Sequence, residues 1–149
     1  MHNLFQASGK TNLVDRLEKL SVFSQRQWGT MTVEEMFWHL RSQLELALGI
    51  LEQRTHVKSV LRVPPLRWLA LYVFPWPKGS PTAPEMHVRK SNPAVASFEE
   101  EKQQLLHRLT QVEQATSLGP HPLFGAMSKR LWGRLIWKHV DHHLRQFGA

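Results

Sequence analysis

His139 and His143 stand four residues apart in the stretch HVDHHLRQF. On a helix this spacing puts both imidazoles on one face, one turn apart, where two nitrogens can reach a single cation. Trp132, Leu135, Ile136, Val140 and Phe147 recur with helical period and predict a helix from about Ser128 to Phe147 whose apolar arc contains both histidines. His142 falls toward the edge of the arc, while Arg134, Lys138, Asp141 and Arg145 fall on the opposite side, where solvent is expected. Two readings of the pair stand side by side. Core histidines hydrogen-bond to backbone or to polar neighbours, whereas a metal satisfies two adjacent imidazoles at once and holds both unprotonated. A third ligand must come from another helix, and His39 is the candidate, on the flank of the Met36, Leu40, Leu44 and Ala47 stripe. His2, His56, His87, His107 and His121 fall in loops, near the terminus or, for His107, on a polar helix face, and are assigned no part in the site.

Other chemistries are excluded by position. A zinc-protease helix needs glutamate directly after the first histidine, and that place holds Val140. Asp141 lies about 200° around the helix from His139 and cannot serve as base to a water held there. The chain has no cysteine, so disulfides, thiolate metal sites and a thiol nucleophile are absent from it. Neither a Gly-rich phosphate loop nor a G-x-S-x-G elbow occurs.

The elements that must position the histidines read as helices. Apolar residues from Val33 to Leu51 follow a three-and-four spacing between about Thr32 and Arg54, and Thr32 with Glu35 forms a capping box at its start. A shorter helix is expected from about Lys10 to Leu20. Pro64 and Pro65 open another segment, and Leu66 to Phe74, apolar on nearly every side, is expected to be buried. Prolines at 75, 77, 81, 84 and 93 predict a long ordered loop. Ser97 with Glu100 repeats the capping box for a helix reaching about Ala115, with Phe98, Leu105, Leu109 and Val112 as its seam. Four main helices and no hairpin-spaced strands predict an all-α bundle.

At 149 residues the chain is expected to form one domain, 1–149, with a core that needs no disulfide. Its net charge of +7 suggests a polyanion partner, but the cations are scattered, and Arg130, Arg134, Lys138 and Arg145 read as a solvated face. The stretch Leu66–Trp76 is too short to span a bilayer and no leader is evident at the N-terminus, so a cytoplasmic protein without a membrane partner is expected.

TVEEMFWHL in the early helix and HVDHHLRQF in the last one resemble the DinB-like, or YfiT-like, superfamily of metal-dependent four-helix bundles. PWPKGSPTAPE, HPLFG, WGRLIWKHVDHHLRQFG and QWGTMTVEEMFWHL resemble one small subfamily of it, domain-of-unknown-function family 1569, over most of the chain. The resemblance implies a DinB-like bundle with a short N-terminal helix and a Pro-rich loop. It also implies a metal triad of His39, His139 and His143 that binds a divalent ion, nickel or zinc. Many relatives read H-H-x-G-Q where this chain has His142, His143, Leu144, Arg145 and Gln146, so Arg145 replaces a glycine. The implied activity is hydrolysis or thiol S-transfer on a small molecule, with a water or low-molecular-weight thiol activated at the metal. Gln146, Trp132 and His142 are candidates for orienting the metal ligands or the substrate. Relatives pair through an apolar face, which implies a homodimer. The competing expectation is a non-catalytic bundle with a structural metal or histidine network, its basic face binding an acidic partner or nucleic acid; nucleic acid is the less expected of these.

Overall fold

The computed structural model describes residues 2–53, 58–80 and 82–149. His56, for which a loop was expected, lies outside these residues, as do Arg54 and Pro81. The fold is an all-α bundle. Its helices are α1 (Ala7–Glu18), α2 (Val33–Ala47), α3 (Pro64–Trp68), α4 (Val88–Ser91), α5 (Phe98–Gln114) and α6 (Lys129–Gln146). Among the described residues no strand occurs, and one isolated antiparallel bridge pairs His121 with Gly125.

Both predicted capping boxes form. Thr32 accepts from the Glu35 amide while the Glu35 carboxylate accepts from the Thr32 amide, and Ser97 and Glu100 do the same for α5. Helix α2 ends at Ala47, short of the expected Arg54. Gly49 there turns left-handed with φ 73°, and the amides of Ile50 and Leu51 both donate to the Glu45 carbonyl, closing the helix.

Leu13 and Leu17 of α1, Met36, Leu40 and Leu44 of α2, Leu105 and Leu109 of α5, and Trp132, Leu135 and Ile136 of α6 fill the common core. Helices α2 and α5 are joined by ion pairs: Arg41 reaches Glu101 at 3.0 Å and Glu45 at 2.8 Å, and Arg108 reaches Glu45 at 3.0 Å.

Helix α6 lies at the centre of the bundle, which overturns the expected solvated side in part: Arg130 and Arg145 are exposed, as expected. Lys138 and Asp141 are buried, and Arg134 is partly so. Their charges are met by specific partners. Arg16 of α1 pairs with Asp141 at 2.7 Å, and Trp137 donates to the Gly9 carbonyl at 3.2 Å. Arg134 donates to the Leu71 carbonyl at 2.9 Å, and Lys138 to those of Ala70 and Phe74. Those carbonyls are available because residues Leu69–Val73 continue α3 as a π-helical turn, closed by the Phe74 amide on Leu69.

The same contacts overturn the expected burial of Leu66 to Phe74. The segment directs the Ala70, Leu71 and Phe74 carbonyls to Arg134 and Lys138 of α6. Of its side chains Leu71 is fully buried, Ala70 and Tyr72 pack against the core, and Leu66, Trp68, Val73 and Phe74 are exposed. No helix among the described residues is long and apolar enough to cross a membrane.

Candidate metal centre

His39 comes from the second turn of α2, and His139 and His143 from successive turns of α6. The three are buried at 6%, 4% and 6% exposure. The Nε2 atoms of His39 and His139 are 3.0 Å apart, and those of His139 and His143 are 3.1 Å apart. One nitrogen of each ring lies within 4.8 Å of the others.

The opposite nitrogens decide what those Nε2 atoms can do. His39 Nδ1 donates to the Met86 carbonyl at 2.9 Å, His139 Nδ1 to Gln43 Oε1 at 2.7 Å, and His143 Nδ1 to Gln146 Oε1 at 2.7 Å. The Gln146 amide is oriented by its own donation to the Trp28 carbonyl at 2.7 Å, so its oxygen must face the histidine. Burial lowers the pKa of all three histidines below its ordinary value, for His139 and His143 well below, and the neighbouring histidines push the same way. A neutral ring whose proton is spent at Nδ1 presents a bare lone pair at Nε2. In this tautomer the three Nε2 atoms face one another as lone pairs.

A divalent cation fits that arrangement. Bonds of about 2.0–2.1 Å to tetrahedral nitrogens would separate them by about 3.3 Å, a few tenths of an ångström more than the two spacings to His139, and the three nitrogens all lie within 4.8 Å of one another. Each ligand's far nitrogen is already oriented by an oxygen acceptor, the outer support that metal-bound histidines need.

The trio forms the floor of a cleft of about 620 Å³. The Trp76 ring lies 5.0 Å from the His139 ring, and His142, half-buried, touches Trp28 edge-on at 5.8 Å. The Lys78 ammonium sits 4.2 Å over the Trp28 ring. Arg89 lines the cleft wall and pairs with Glu35 at 2.8 Å. Among the described residues no carboxylate lines the cleft. Gly29, left-handed at φ 79°, lets the Trp28 loop approach: a Cβ there would stand 2.5 Å from Gln146 Nε2.

Of the residues expected to orient ligands or substrate, Gln146 contacts His143 and His142 lines the cleft. Trp132 does neither: fully buried, it donates to the Gly119 carbonyl at 2.9 Å and packs against His121. The tryptophans on the cleft are Trp28 and Trp76 instead. His87 and His121, assigned no part above, also line it. His121 is buried, and its Nδ1 accepts from the amides of Leu123 and Phe124 at 3.1 and 3.4 Å. Burial lowers its pKa to about 4. Gln43 and the Met86 carbonyl went unread in the sequence. Gln43 lies one helical turn beyond His39, a usable signal, but nothing local marks Met86, which the 3-10 turn Pro84–Met86 brings across the fold.

A family model described as a protein of unknown function (DUF1569) matches residues 5–149. No curated protein and no solved structure matches the chain.

Proposed function

The chain belongs to the DUF1569 family, and we propose that it is a metal-dependent enzyme of the DinB-like kind, holding one nickel or zinc ion on His39, His139 and His143. The observation that carries this reading is the convergence of three buried Nε2 lone pairs, every Nδ1 proton being spent elsewhere, on the floor of an open cleft. A purely structural site would be closed by a fourth protein ligand, and no further histidine or carboxylate joins the trio among the described residues. A divalent ion there supplies Lewis acidity that lets water or a low-molecular-weight thiol act as nucleophile near neutral pH.

The remaining work falls to the chain's own side chains. Gln43, Gln146 and the Met86 carbonyl hold the three rings in one tautomer and one orientation. Trp76 covers His139 and keeps bulk water from that side of the cleft. His142, which lines the cleft beside His143, is the ring that in this reading takes a proton from the nucleophile and returns it to the leaving group. With the Lys78 ammonium over the Trp28 ring and no carboxylate among the described lining residues, the cleft suits a neutral or anionic small molecule and disfavours a cation.

The test is to assay ester hydrolysis and the addition of small thiols to electrophiles, using chelator-stripped protein and protein reloaded with nickel or zinc. Activity that returns with the metal and is missing from a His143→Ala variant supports the reading; full activity after stripping contradicts it.

A further inference from the structure

Val60, Val63, Leu66, Trp68, Val73 and Phe74 are between 41% and 70% exposed, although they come from one short stretch around α3. The stretch is anchored on its inner side by the Leu71 side chain and by the Ala70, Leu71 and Phe74 carbonyls, which Arg134 and Lys138 hold. Its charge is one-sided as well. From Gln53 to Pro84 the sequence has Arg54, Lys58, Arg62, Arg67 and Lys78 and no aspartate or glutamate. Arg62 donates to the Pro122 carbonyl and Arg67 to those of Phe124 and Ala126, so these contacts orient the guanidinium groups without neutralising them. Among the described residues no carboxylate pairs with Lys58, Arg62 or Arg67.

We propose that this face adsorbs to an anionic lipid surface. The apolar side chains enter the headgroup boundary and the cations meet lipid phosphates. Exposed apolar side chains, a tryptophan and a phenylalanine among them, in a stretch with Lys and Arg and no carboxylate are the composition that favours a membrane interface. Self-association through the same face is disfavoured by charge. A two-fold contact would set an all-cationic stretch against its own copy, and the chain already carries +7. Adsorption requires no spanning segment and does not depend on the metal centre.

The experiment is vesicle co-sedimentation of the full chain, with phosphatidylcholine alone and with equal parts phosphatidylcholine and phosphatidylglycerol. The wild type should bind the anionic vesicles at least about tenfold more tightly than the neutral ones, and added salt should weaken that binding. A Trp68→Ser, Phe74→Ser double variant with wild-type Tm should lose about tenfold or more, and Lys58→Glu should weaken binding at low salt. Absence of binding to anionic vesicles, or equal binding by the double variant, would overturn the proposal. So would light scattering that finds a dimer which the double variant converts to monomer, since the face would then belong to a second copy.

Discussion

The Nε2 atoms of His39 and His139 face each other at 3.0 Å across the interface of α2 and α6, while the Nδ1 of each ring lies on an oxygen acceptor. Removal of these outer acceptors should be felt at the metal. Gln146→Leu deletes the acceptor for His143 Nδ1 and the donor to Trp28. Affinity for nickel or zinc should fall about 10- to 100-fold with the helical content unchanged, and Gln43→Leu should act alike through His139. Competition titration with a chromophoric chelator measures both.

Acid should destabilise the metal-free protein. His121 takes up a proton at about pH 4 when folded and near 6.5 when unfolded, so between these values the unfolded chain binds more protons. Stability therefore falls as pH drops from about 6.5 toward 4, by up to about 3 kcal/mol from this group alone. The lowered pKa values of His39, His139 and His143 add in the same direction. Urea denaturation at a series of pH values should show this loss, with a shallower slope for His121→Gln.

Gly133 sits inside α6, where alanine would ordinarily gain about 1 kcal/mol of helix propensity. Here a Cβ would meet Asn3 Oδ1 at 2.2 Å and Phe5 Cδ2 at 2.5 Å, beside the bond from the Leu4 amide to the Gly133 carbonyl. Gly133→Ala should displace the N-terminal segment and cost about 1–3 kcal/mol net, read as a lower Tm.

Lys138→Met should loosen the π-helical turn. It leaves the Ala70 and Phe74 carbonyls without their charged donor, at a cost of about 1.5–3 kcal/mol. Limited proteolysis should cut between Leu69 and Trp76 faster than in the wild type. Because burial and nearby Arg134 lower the Lys138 pKa to about 8, the folded state binds fewer protons than the unfolded state between about pH 8 and 10.5. This contribution to stability rises with pH over that window, and the variant should lack it.

Much of this architecture was legible because its signals are local. The four-residue step from His139 to His143 and the Thr32–Glu35 and Ser97–Glu100 boxes each depend on neighbours within a turn or two, whereas the expected proline-dense loop also contains the turn Pro84–Met86 and α4. His39 could be named as a partner but not placed, since its meeting with His139 depends on how α2 crosses α6. The errors share one cause. Helical periodicity assigns one wet side to each helix, but α6 is surrounded, and Lys138 and Asp141 are buried against carbonyls and Arg16 that come from distant stretches. The outward turn of Trp68 and Phe74 is the other half of that arrangement, because the inner side of the segment is taken by Leu71 and by the carbonyls that Arg134 and Lys138 hold.

The most direct measurement of the central claim is metal content. Purified, tag-free wild type and a His139→Ala, His143→Ala double variant are equilibrated with limiting nickel and zinc and analysed by elemental mass spectrometry. The three convergent lone pairs predict one ion per wild-type chain, a Tm that rises with free metal concentration, and neither effect in the variant. A wild type that binds no stoichiometric metal, beside a variant that folds equally well, would contradict the account and reduce the three histidines to a core network.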